Sequence, residues 1–152
     1  MKLRNKSFNY SIFCFSKFEK PPATQIKFFC DALFLSHKIY FAKISFIFCD
    51  DEYLSKLKLE YFNKNELTDV ISFSLSENKS NDLEGEVYIS VERVFYNAKK
   101  YNEKKTNEIS RVLIHGILHL LNYKDNEKES KDLMTSKENH YMTKVDCECF
   151  NV

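Results

Sequence analysis

The run from Arg111 to Asp125, R-V-L-I-H-G-I-L-H-L-L-N-Y-K-D, constrains this chain more than any other stretch. His115 and His119 are four residues apart, so on an α-helix they share one face, one turn above the other, and both imidazoles can reach one metal ion. Asn122 supplies a helix stop, because Asn is the best residue after glycine at the left-handed position that follows a helix. Beyond that turn, Asp125 can fold back with a carboxylate. Two imidazole nitrogens and one carboxylate leave a coordination position open for water, as catalytic zinc sites do. The same set also suits non-haem iron, so the spacing alone does not name the metal.

Paired histidines at this spacing also occur in cores and on solvated faces. Three features favour a site here. The chain has four histidines, and two of them share its most apolar helix. Gly116, one of only two glycines, lies between them, where Ala would favour a helix by about 1 kcal/mol, so close approach of a backbone or ligand is expected. The third candidate ligand follows a recognisable helix stop. Arg111 lies one turn before His115 on the same face, where it can meet a substrate phosphate or remain solvated. His140 is expected at the surface.

The rest of the chain reads as a frame of strands and helices. Phe8, Tyr10, Ile12 and Cys14 alternate with polar residues as in a half-buried strand. Pro21-Pro22 opens a helix whose core stripe is Ile26, Phe29, Cys30 and Leu33. A second strand spans about Tyr40 to Cys49, and Asp50 and Asp51 cap a helix carrying Leu54, Leu57 and Tyr61 inward. Thr68 to Phe73 is a third strand, Ser76 to Asp82 a polar loop, and Gly85 to Ser90 a fourth strand, with Gly85 expected at a bulge or a tight entry into an edge strand. Ser90 caps a helix with the stripe Val91, Val94, Phe95 and Ala98. The histidine helix starts near Thr106 or Asn107 and buries Ile109, Val112 and Leu113, and a last helix covers Ser130 to Thr143. No repeat or linker divides the chain, so residues 1–152 are expected to form a single domain.

Charge bears on what such a site would act upon. The formal net charge is +1, which gives no bulk attraction to nucleic acid, so any such contact needs a local patch. The lysines at 99, 100, 104 and 105 can form one, or simply solvate a helix end. Cys14, Cys30, Cys49, Cys147 and Cys149 are an odd set without metal-type spacing apart from the weak Cys147-x-Cys149. No run approaches the roughly 18 apolar residues of a membrane span. Reduced thiols in a cytosolic protein, with no membrane contact, are the expectation.

The histidine run resembles the YbeY-type endoribonucleases, or rRNA maturation factors, whose motif reads H-G-x-L-H-L-x-G-Y-D-H. It aligns with His115-Gly116-Ile117-Leu118-His119-Leu120-Leu121-Asn122-Tyr123-Lys124-Asp125, with Asn122 for glycine, Lys124 for aspartate and Asp125 for the third histidine. A version ending Tyr-Lys-Asp belongs to part of that family. Thr68-Asp69-Val70-Ile71-Ser72-Phe73 is similar to the family's T-D-V-L-S-F strand, and Gly85-Glu86-Val87-Tyr88-Ile89-Ser90 to its G-D-I-x-I-S strand. Six residues before Thr68, where the family often carries an arginine linked to activity, this chain has Phe62.

The resemblance implies an α+β fold, a mixed four-stranded sheet packed with about five helices, with the metal site on a central helix. It implies a zinc-dependent endoribonuclease, with one Zn2+ held by His115, His119 and Asp125 and both histidines catalytic. The implied substrate is single-stranded rRNA at the 3′ end of 16S rRNA, with the small ribosomal subunit as partner and ribosome quality control as a further role. Exchanging a neutral third histidine for Asp125 lowers the net charge of a divalent site from +2 to +1 and weakens its Lewis acidity without forbidding catalysis. Two rivals stand beside this reading. A metallopeptidase helix carries His-Glu-x-x-His with Glu as the general base, and Gly116 occupies that place here. A ribosome-associated binding protein would keep the fold and use any metal structurally.

Overall fold

The computed structural model describes residues 5–17, 23–76 and 81–144. Pro21-Pro22, part of the loop after residue 76, and Cys147 and Cys149 lie outside them. Among the described residues the order is β1 (Ser7–Cys14), α1 (Ala23–Ser36), β2 (Phe41–Cys49), α2 (Asp51–Phe62), β3 (Val70–Ser74), β4 (Asp82–Ser90), α3 (Val91–Lys100), α4 (Lys105–Leu120) and α5 (Lys128–Met142). The strands form one sheet in the order β1-β2-β4-β3. β1, β2 and β4 run parallel, and β3 pairs antiparallel with β4, so the sheet is mixed and the fold is α+β as expected.

The alternation of the strands sorts side chains onto two faces. Ala42, Ile44, Phe46 and Phe48 of β2, with Leu83, Val87 and Ile89 of β4, point to one face and join the core under α1, α4 and α5. On the opposite face Cys49, Leu54 and Ile71 form a smaller cluster beneath α2, with Leu57, Phe73 and Tyr88 against it. Tyr61, expected to point inward with Leu54, is instead exposed, with its ring edge-on to Phe73 at 5.1 Å.

Local chemistry sets the helix starts. The carboxylate of Asp50 accepts from Tyr53 N at 2.9 Å and caps α2. Ser90 Oγ accepts from Arg93 N at 3.1 Å and caps α3. The histidine helix begins at Lys105, slightly before the expected Thr106, and has no side-chain cap, so burial of its apolar face rather than capping holds it in place.

Both glycines mark close packing. A Cβ on Gly116 would sit 2.7 Å from Val87 Cγ1 and 3.1 Å from Val70 Cγ2, so α4 approaches β3 and β4 closely at a residue with no side chain to block it. Ser72 Oγ donates to the Gly116 carbonyl at 2.7 Å and fixes that approach. Gly85 corrects the expectation of a bulge or an edge entry. It lies in unbroken register between Ile44 and Ser74 on an interior strand, without positive φ. Its missing side chain makes room for Leu120, whose Cδ2 would lie 2.7 Å from a Cβ there.

Candidate metal centre

α4 presents His115 and His119 at its carboxyl-terminal end, where the chain must stop and reverse to bring in Asp125. Asn122 takes φ of 72°, in the left-handed region. Tyr123 N donates to the Leu118 carbonyl at 3.0 Å and Asn122 N to the His119 carbonyl at 3.0 Å, which together form a Schellman stop. The stop also feeds the site, because the Tyr123 carbonyl accepts from His119 Nδ1 at 3.0 Å. The turn is anchored from α1. His37 donates Nδ1–H to the Leu33 carbonyl at 2.8 Å, which leaves its Nε2 to accept from Tyr123 Oη at 2.8 Å.

These contacts fix the tautomers of the paired rings. A carbonyl only accepts, so His119 carries its proton on Nδ1 and keeps a lone pair on Nε2. His115 Nδ1 faces Glu138 Oε1 of α5 at 3.4 Å, so its proton also sits on Nδ1. The two Nε2 atoms lie 3.0 Å apart, and Asp125 Oδ2 lies 3.4 Å from one and 3.5 Å from the other. Three electron-pair donors therefore converge on one point, where a cation between them would satisfy all three. Four-coordinate zinc at 2.0–2.1 Å from its ligands implies edges of about 3.3 Å between neighbouring donors, close to all three distances. The donor set fits a metal ion, and the three residues lie together at intermediate burial.

Proton affinities carry the same signature. Burial lowers the pKa of His115, but the Glu138, Asp125 and Asp69 carboxylates outweigh it and hold the ring above the ordinary imidazole range. Burial and the neighbouring charge of His115 push His119 below that range. The half-buried Asp69 is raised, chiefly by burial, against the opposing pull of His115. The two rings are close enough that a proton on His115 opposes one on His119.

A cleft of about 660 Å³ opens over the three ligands along the free edge of β3. Val70, Ser72 and Ser74 form its floor, Asp69 one wall, and Lys58, Phe62 and Lys64 of α2 and its following loop the far rim. Lys58 is mostly covered, with its ammonium 5.2 Å from the centre of the Phe62 ring and 3.6 Å from Glu66 Oε1.

Residues 14–146 match the family model described as Endoribonuclease YbeY. This chain belongs to that family. The YbeY endoribonuclease of Christiangramia forsetii is 48% identical over 103 residues, covering 68% of this chain and 71% of the relative. That of Flavobacterium psychrophilum is 40% identical over 132 residues, covering 87% and 90%. The solution structure of a Thermotoga maritima protein superposes with a TM-score of 0.61 at 24% identity, over 90% of this chain and 88% of that one, and shares the fold described above.

Within this YbeY frame the structure brings His115, His119 and Asp125 together. Arg111 goes elsewhere. It does not line the cleft, and its Nη1 reaches Asn139 Oδ1 of α5 at 3.5 Å. Of the four lysines considered as a phosphate patch, Lys100 borders a neighbouring depression, while Lys105 lies over the ring of Phe95 at 4.5 Å. His140 is exposed, as expected.

Sequence reasoning missed Glu138, the Tyr123 carbonyl, Lys58 and Lys64. Glu138 had a readable signal, since Met134, Glu138 and Tyr141 form the buried stripe of α5 and a carboxylate in such a stripe needs a partner. The lysines had none, because their role depends on where α2 ends relative to β3.

Proposed function

We propose that this chain, an endoribonuclease by family, cleaves single-stranded rRNA in the cleft over His115, His119 and Asp125. In this reading the resident ion is zinc, the substrate is the 3′ end of 16S rRNA in the small ribosomal subunit, and the work is done in the cytoplasm. The observation that carries it is the convergence of two Nε2 lone pairs and Asp125 Oδ2 at 3.0, 3.4 and 3.5 Å in a cleft with a cationic rim. When bound there, zinc supplies Lewis acidity and lowers the pKa of a coordinated water towards neutrality.

The protein's own groups do the remaining work. Glu138 and the Tyr123 carbonyl hold the rings in the tautomer that directs both lone pairs into the cleft. Lys58 and Lys64 on the rim offset the charge of an incoming phosphate, which the near-neutral chain as a whole does not. Asp69 in the wall, raised by burial, can hold a proton facing the same space.

The peptidase alternative meets a steric obstacle. Any side chain at position 116 would project onto Val87 and Val70, so the glutamate that such enzymes place after the first histidine has no room here. The test pairs metal content by mass spectrometry with cleavage of a labelled single-stranded RNA. Wild type is expected to carry a single zinc per chain and to lose both ion and cleavage in Asp125→Ala and His115→Ala, with cleavage stopped by chelation and restored by zinc. Cleavage that survives both chelation and His115→Ala would overturn the reading.

A further inference from the structure

The cleft does not end at its Asp69 wall. A second depression of about 350 Å³ adjoins it across Thr68 and Asp69, which line both, at the start of β3. Its walls come from α3, with Arg93, Tyr96, Asn97 and Lys100. Arg93 is fixed first, because Asp51 accepts from its Nε at 3.3 Å and its Nη2 at 2.6 Å. That ion pair largely spends the charge of Arg93 but holds its guanidinium 4.5 Å from the centre of the Tyr96 ring. Tyr96 is thereby supported from beneath while 55% of it stays exposed. Lys100 stands one helical turn beyond Tyr96 on the same face and is exposed, its ammonium 5.4 Å from the centre of the Tyr101 ring, and it lines the same depression as Tyr96. Asn97 adds an amide able to both donate and accept.

An exposed ring on a rigid support, a cation one turn away and a polar amide, adjoining the cleft over His115, His119 and Asp125, are the elements of a single-strand nucleic acid subsite. We propose that this second depression binds a nucleotide flanking the scissile phosphate, its base stacked on Tyr96 and a backbone phosphate against Lys100. The proposal rests on the endoribonuclease reading above and specifies its substrate as unpaired RNA long enough to pass Asp69. A duplex cannot use the platform, since its bases are already stacked and paired.

The test measures fluorescence anisotropy of a fluorescein-labelled oligoribonucleotide of about twelve nucleotides with the full chain in EDTA, together with zinc-supported cleavage of the same strand. Tyr96→Ala is expected to weaken binding about tenfold and Tyr96→Phe to retain it, as base stacking on one ring requires. Lys100→Ala should reduce the dependence of affinity on salt by about one phosphate contact. The same RNA annealed to its complement should bind all variants alike. Thermal melting checks the fold of each variant, and both side chains are exposed enough to be replaced without disturbing the core. Wild-type cleavage with single-strand affinity unchanged in Tyr96→Ala would overturn the subsite alone. Wild type that neither binds nor cleaves the strand would overturn the endoribonuclease reading and the subsite with it.

Discussion

On one side of the sheet Ile44, Phe46, Phe48, Val87 and Ile89 lie fully covered beneath α1, α4 and α5, whereas on the other α2 covers only one end. There Cys49, Leu54 and Ile71 make a small cluster, and the rings of Tyr53, Tyr61 and Phe62 remain 43%, 60% and 45% exposed. The difference matches what each side does. α4 carries two of the three metal-site donors and needs a position fixed to a fraction of an ångström, which interdigitated packing around Gly116 supplies. α2 and the loop after it place Lys58 and Lys64 at the cleft from this thinner side. One sheet thus provides a rigid bed on one face and a more yielding border on the other.

Leu113 and Leu54 test that contrast most severely, because both are fully buried, one on each face. Leu113→Ala is expected to cost about 4 kcal/mol and Leu54→Ala about 2 kcal/mol, since neighbours in a thin cluster can relax into the space and those in the main core cannot. Urea unfolding midpoints at a common slope decide the matter. Equal losses would break the comparison. Leu113→Ala should in addition lower metal affinity by shifting α4, and Leu54→Ala should leave it unchanged.

A smaller effect comes from a charged residue that the thick side buries against the site. Glu138 is 8% exposed and faces His115 Nδ1. Glu138→Gln keeps the volume and an acceptor oxygen but removes the charge. Metal affinity, measured by calorimetry, should fall about 10- to 100-fold with the unfolding midpoint nearly unchanged. Loss of stability without loss of affinity would make Glu138 a core residue and remove it from the site.

How much of this was readable in advance follows from the range of each interaction. The proximity of His115, His119 and Asp125 was readable because helical period and the left-handed stop at Asn122 act over a few residues, and the structure brings the three candidate ligands together as that local geometry implies. The strands and helices were recoverable for the same reason, through alternation and apolar stripes. The special character of Gly116 was readable, but its cause, Val87 and Val70 from two strands, was not. Gly85 was misread because the residue that needs its missing side chain, Leu120, is on a helix far along the chain. Arg111 shares a helical face with His115, yet it does not line the cleft and its guanidinium lies near Asn139 on α5. The cationic rim depended on α2 ending beside β3, a fact of tertiary packing alone.

The finest distinction concerns protons. His115 holds its proton more tightly than an ordinary imidazole because the carboxylates of Glu138, Asp125 and Asp69 outweigh burial, whereas burial and His115 itself weaken the hold of His119. An ion must displace whatever proton His115 retains, so apparent metal affinity falls as pH drops through the raised pKa of that ring. Glu138→Gln removes one cause of the raised value, so the variant loses affinity to protons only at lower pH than wild type. The affinity ratio between wild type and Glu138→Gln should accordingly be widest at alkaline pH and narrow as pH falls through the raised pKa of His115. Calorimetric titrations at a series of pH values, corrected for buffer ionisation, measure it directly. A ratio that stays constant with pH would mean that Glu138 orients the ring without governing its proton, and the buried carboxylate of the thick face would then act through geometry alone.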